Sequence, residues 1–173
     1  MTLRNTLNAV AEVLDTLSIR WTLIGALAAN RYRSSPRLTN DVDLLLADTG
    51  EGIDVLESAF TDRGWSVFRA DAAGELLRLT HPAYGLADLL ISGTDYQNTA
   101  IERSGIETID DLQSVRVLTA EDVIVHKLIA GRLQDQADIE AILATDNKLD
   151  QHYIDHWAQF WEVQDLWEKL KTG

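Results

Sequence analysis

The run Asp41-Val42-Asp43-Leu44-Leu45-Leu46 constrains this chain more than any other segment. Its apolar half reads as a buried strand. A strand alternates its faces, so Asp41 and Asp43 point the same way. Two carboxylates then crowd one spot beside residues that exclude water, where like-charge repulsion and desolvation both oppose ionisation. Folding does not favour that pair unless something positive sits between them. Magnesium suits the position, being a hard cation that takes carboxylate oxygens and keeps open places for phosphate. The plainer alternative is that one aspartate caps a turn and the other faces solvent.

The preceding residues favour the first reading. Trp21-Thr22-Leu23-Ile24 reads as a short buried strand, Gly25-Ala26 as a turn, and Leu27 to Tyr32 as a helix. Glycine at a strand-to-helix turn lets the backbone approach a ligand, and a helix start offers unpaired N–H groups to phosphate. Arg31, Arg33 and Arg37 then bring positive charge into an acidic chain. Strand, glycine turn, helix, basic linker and acidic strand form an ordered phosphate-and-metal arrangement.

The segment from Leu23-Ile24-Gly25-Ala26 through Arg37-Leu38-Thr39-Asn40-Asp41-Val42-Asp43 resembles the signature of the nucleotidyltransferase (polymerase beta-like) superfamily. It is most similar to the AbiEii/AbiGii toxin-type branch. Leu86-Ala87-Asp88-Leu89-Leu90 is similar to the strand carrying that superfamily's third carboxylate. Thr119 to Leu128, followed by Arg132, Asp135 and Asp138, resembles the branch's C-terminal helical motif. Two positions depart from the pattern: Ala26 stands where Gly or Ser is usual, and Gln134 where a lysine is expected.

The resemblance implies transfer of a nucleotidyl group from a nucleoside triphosphate to an RNA or protein acceptor, with two magnesium ions held by Asp41, Asp43 and Asp88. Gly25 and Ala26 would offer backbone N–H groups, Arg37 and Lys127 would neutralise phosphate, and Thr39 would orient the loop before the metal strand. Toxin-type members are expected to meet a cognate antitoxin. The alternative is a catalytically degenerate member that binds a nucleotide or a protein. A third reading is a plain interaction module in which Asp88 is a satisfied strand residue.

Charge narrows the partners. The chain has 15 basic residues against 28 acidic ones, a net charge of −13. Phosphate-backbone binding is driven largely by Lys and Arg, so a broad duplex-DNA groove is not expected. A small or protein acceptor fits better, and an RNA end such as that of a tRNA, needing few contacts, stays open. With no cysteine, disulfides and thiolate metal sites are excluded. The first residues show no signal-peptide pattern, and no apolar run approaches the roughly 20 residues of a membrane span, so a cytoplasmic protein is expected.

Periodicity supplies the remaining elements. Leu3 to Leu17 and Glu51 to Arg63 have helical spacing; 65–68, 76–81 and 85–91 read as strands, the last two joined by the turn Pro82-Ala83-Tyr84-Gly85. Asp88 interrupts an apolar strand, which is costly unless it is paired or metal-bound. Val115 to Leu118 reads as a last short strand, and Thr119 with Asp122 as a capping box opening a helix. Lys127 lies mid-helix, where it reaches a phosphate or snorkels to water. Asp135 and Asp138 share a helix face. Asp135 reads as structural, whereas Asp138 positions Lys127 or Arg132, receives a proton, or caps a helix. His152 and His156 are four apart but lack a third ligand, so an exposed helix face is expected. The aromatic-rich tail from Asp150 to Lys171 reads as two helices broken near Glu162, packed on the core or presented to a partner.

The expected fold class is α+β: a small mixed β-sheet flanked by helices, followed by a C-terminal helical bundle. Residues 1–118 form the core, and 119–173 pack on it as one unit.

Overall fold

A computed structural model describes residues 2–48, 50, 52–71, 74–108 and 114–172. Seven strands form one mixed sheet: β1 (Trp21–Leu23), β2 (Asp41–Leu46), β3 (Ser66–Arg69), β4 (Leu76–His81), β5 (Gly85–Ile91), β6 (Gly105–Glu107) and β7 (Val115–Val117). Their spatial order is β3-β4-β5-β2-β1-β7-β6. β2 runs parallel to β5, and β1 parallel to β7; the other neighbours are antiparallel. The fold is α+β, as the sequence predicts.

Strand alternation separates the sheet into two chemistries. Val42, Leu44 and Leu46 of β2, Leu77 and Leu79 of β4, and Ala87 and Leu89 of β5 all lie in the hydrophobic core. The helix α1 (Leu3–Thr16) packs against β2 and β5, burying Leu7, Val10, Val13 and Leu14. The intervening residues of the same strands, among them Asp41, Asp43, Arg78 and Asp88, are on the other face.

The helix α2 (Gly25–Asn30) begins two residues earlier than the pattern suggests, at Gly25 itself, whose φ of +64° only glycine adopts readily. The helix α3 (Ile53–Thr61) falls inside the predicted 51–63 segment, of which Glu51 lies outside the described residues. Trp65 precedes β3 instead of joining it, its ring packed against Phe60, His81 and Tyr84. Two elements carry no sequence expectation: β6 and the helix α4 (Asp95–Arg103). In α4, Thr94 caps the Gln97 N–H, while the Gln97 side chain accepts from the Gly93 N–H.

The C-terminal part is helical: α5 (Ala120–Ala130), α6 (Leu133–Leu143), α7 (Gln151–Phe160) and α8 (Gln164–Thr172). Thr119 caps α5 through the Asp122 N–H. Gly131, at φ +65°, ends α5 in the left-handed region and turns the chain directly into α6. The α7–α8 break falls at Glu162, also at positive φ. Ile154, Trp167 and Leu170 join the core, whereas Phe160 stays exposed, as do His152 and His156.

Leu44 is fully buried at the centre of the sheet. Leu44→Ala is expected to lower the unfolding free energy by about 2–5 kcal/mol, read from the midpoint of urea denaturation at unchanged m-value.

Candidate functional site

Register assembles the acidic face. In the β2–β5 pairing Asp43 lies directly opposite Asp88, and in the β4–β5 pairing Asp88 lies opposite Arg78. Adjacent strands are about 4.8 Å apart, so Asp41, Asp43 and Asp88 share one small patch. Asp43 registers the crowding. Burial, then the charges of Asp41 and Asp88, push its carboxyl up to about 6; the Ala26 N–H and Lys127 pull the other way. Asp41 accepts a hydrogen bond from the Thr39 hydroxyl. Asp88 accepts two bonds from Arg78, from Nε at 2.9 Å and from Nη2 at 2.7 Å.

Gly25 makes this packing feasible. A Cβ at that position would overlap the Asp43 carboxylate, and the left-handed backbone adds strain for any other residue. The Ile24 N–H donates to the Asp43 carbonyl at 3.0 Å, fixing the turn beside the acidic strand. The backbone N–H at Ala26 is thus directed at an aspartate of the protein itself.

A second charge cluster stands where α5 and α6 meet. Lys127 is buried and donates to Asp138 at 2.6 Å and to Asp135 at 3.2 Å. Asp138 also accepts from Arg33, and from Arg37 through Nε at 3.0 Å and Nη2 at 3.1 Å. Arg132 donates to Asp135 at 2.6 Å. Burial alone would raise both carboxyls. Arg132 and Lys127 at Asp135, and Arg37 and Lys127 at Asp138, hold them below the usual carboxylate range. Four cations thus share two buried carboxylates, leaving surplus positive charge. Asn30 clamps the linker that brings Arg37 here: its side chain donates to the Arg37 carbonyl at 2.8 Å and accepts from the Arg37 N–H at 3.0 Å. Arg31 turns away, to Glu107 of β6.

One cleft of about 790 Å³ separates the two clusters. Gly25, Ala26, Thr39, Asp41, Asp43 and Asp88 line it on the sheet side, and Arg37 and Lys127 on the other. Asp138 lies behind the cationic wall, outside the lining, whereas Asp135 reaches the cleft. Arg78 and Arg132, which sequence reasoning left out of the site, also line it, together with Tyr96, His126 and Trp161. His126 Nε2 and Trp161 Nε1 are shielded and have no hydrogen-bond partner among the described residues. Burial, then Lys127, push the His126 imidazole down to about 4, so it is neutral.

Hard carboxylate oxygens match a divalent ion of the magnesium type, and Asp41 and Asp43 carry the repulsion such an ion would relieve. Among the described residues no three His, Asp or Glu side chains converge as a metal cage. Asp88, with both oxygens on Arg78, is the carboxylate engaged elsewhere.

Two outcomes are expected. Because the folded Asp43 carboxyl titrates at about 6, above its ordinary 3.8, its ionisation costs stability as pH rises through that window. In metal-free buffer, Asp43→Asn gains about 1–2 kcal/mol over the parent at pH 8 and little or nothing at pH 4, measured by urea unfolding at each pH. Asp138→Ala, by removing a buried partner of Lys127, is expected to cost about 3–5 kcal/mol in the same assay.

No protein-family model matches the chain. No curated protein matches it in sequence. Solved structures do match in fold. The antibiotic-resistance factor ANT(2")-Ia, solved with adenylyl-2"-tobramycin, superposes with a TM-score of 0.64 at 16% identity, over 95% of this chain and 99% of that one. The lincosamide antibiotic adenylyltransferase LnuA, solved with lincomycin, gives 0.56 at 15% identity, over 80% of this chain and 95% of that one. The nucleotidyltransferase toxin MenT4 of Mycobacterium tuberculosis gives 0.56 at 14% identity, over 90% of this chain and 61% of that one. What the chain has in common with these proteins is the nucleotidyltransferase-like fold.

Proposed function

We propose that this chain is a metal-dependent nucleotidyltransferase acting on a nucleoside triphosphate, with an RNA end or a protein hydroxyl as acceptor. The observation that carries the reading is one cleft with a carboxylate patch on its sheet side and a cation-rich wall facing it. Three acidic groups for ions opposite surplus positive charge for phosphates is the distribution nucleotidyl transfer requires.

Asp41 and Asp43 would hold the ions, with Asp88 as the third ligand, and Thr39 sets the Asp41 carboxylate. Bound magnesium supplies charge neutralisation of the triphosphate and lowers the pKa of the attacking hydroxyl. Arg37, Lys127 and Arg132 neutralise phosphate oxygens, and Asp138 positions Arg37 and Lys127 from behind. The acceptor oxygen bonds the α-phosphorus, the bond to the bridging oxygen breaks, pyrophosphate leaves, and the acceptor proton is released.

The likeness to a nucleotidyltransferase toxin supports a toxin role with a cognate antitoxin, and the motif resemblance supports the AbiEii/AbiGii branch. No helix of the described residues is long and apolar enough to cross a membrane. A second reading has its own observation. With both Asp88 oxygens on Arg78, a degenerate member would keep the fold and bind a nucleotide or protein without transfer.

Incubating the protein with labelled triphosphates, magnesium and total cellular RNA or protein tests the proposal. Label is expected on one of these fractions, is lost with chelator, and is abolished in Asp43→Ala while circular dichroism stays native. Full transfer by folded Asp43→Ala would falsify the assignment. Triphosphate binding without any label transfer selects the degenerate reading.

A further inference from the structure

Asp88 stands between two partners. Its register opposite Asp43 puts it on the ion-holding patch, yet both its oxygens are bound by the planar fork of Arg78. Register imposes that second pairing too, since Arg78 lies directly across β4 from Asp88. Of the residues that β2, β4 and β5 present on this face, Arg78 alone is cationic. Its side chain is 54% exposed against 17% for Asp88, and it lines the same cleft. The guanidinium therefore sits on the solvent side of the carboxylate, where it can swing away without unpacking the core.

We infer that Arg78 is an exchangeable counter-ion of the third carboxylate: it neutralises Asp88 in the metal-free protein and yields it when a divalent cation enters. The inference rests on the metal-dependent reading above and adds to it a residue that sets the ion concentration at which the site assembles. It explains why three carboxylates on one small patch do not converge as a cage. A half-exposed ion pair contributes little net free energy even with bidentate geometry, so a divalent ion shared by several carboxylates outcompetes it. A guanidinium released into the cleft stays within a phosphate-binding wall, where its fork suits anionic phosphate oxygens. The competing account makes the pair a plain cross-strand contact that steadies the β4–β5 hairpin. That account predicts a loss of stability on breaking the pair and no gain in ion binding.

Calorimetric titration of manganese(II), with no nucleotide present, separates the two. The full chain is compared with Arg78→Gln, Arg78→Lys, Asp88→Asn and the Arg78→Gln/Asp88→Asn double variant. Arg78→Gln is expected to bind manganese about two- to fivefold more tightly, the size expected from removing one partly exposed pair. Arg78→Lys, which keeps the charge but not the fork, falls between. Asp88→Asn binds more weakly, and Arg78→Gln adds little on that background. The counter-ion role is overturned if Arg78→Gln binds no better than the parent, or if it tightens binding equally when Asp88 is absent. If no folded variant, the parent included, takes up manganese, the metal-dependent reading itself falls. Manganese uptake by the parent without an Arg78 effect removes only the counter-ion role.

Discussion

Repulsion among Asp41, Asp43 and Asp88 is the interaction around which the rest of the molecule is arranged. Two hydrogen-bonded strands force Asp43 and Asp88 side by side, and alternation adds Asp41 to the same face. The opposite face of those strands is core, so the register cannot slip to relieve the crowding without turning Leu44 and Leu89 outward. Apolar burial thus holds the carboxylates where electrostatics alone would separate them. The Asp43 carboxyl, raised to about 6, records the cost. Asp41 accepts from the Thr39 hydroxyl, whereas Asp88 has a full guanidinium.

The opposite wall has the complementary construction. Asp135 and Asp138 are almost fully buried, and each gathers cations from separate parts of the chain. Arg33 and Arg37 come from the linker after α2, Lys127 from α5 and Arg132 from the α5–α6 turn. These aspartates anchor a positive surface. Truncating either would leave charge in a low-dielectric setting, which is far costlier than losing a surface pair.

How much of this the sequence discloses depends on the range of each interaction. β2 is legible because the alternation of Asp41, Val42, Asp43 and Leu44 lies within one strand. The Arg78–Asp88 pair was within reach, since the Pro82–Gly85 turn fixes the hairpin register between them; counting across the turn would have paired them. The Asp43–Asp88 adjacency was not so readable, because no local feature specifies which distant strands lie side by side. For α4 the capping signature at Thr94 and Gln97 is present, but Tyr96, Ala100 and Ile101 are too sparse a stripe to declare a helix. Missing β6 also hid Glu107, the partner that draws Arg31 out of the basic cluster. Lys127 does not snorkel to water. It turns inward to Asp135 and Asp138, an outcome that depends on the sharp corner at Gly131.

Strand order has a kinetic corollary. The β3-β4-β5 meander closes through short connections, so it can form from neighbouring residues alone. The central β2–β5 pairing instead joins segments with α3 and two strands between them in the chain. Loop-closure entropy has to be met before that parallel pairing returns anything. The carboxylate patch is therefore a late product of folding, and a nascent chain released before β5 emerges carries only one of the two strands that frame it.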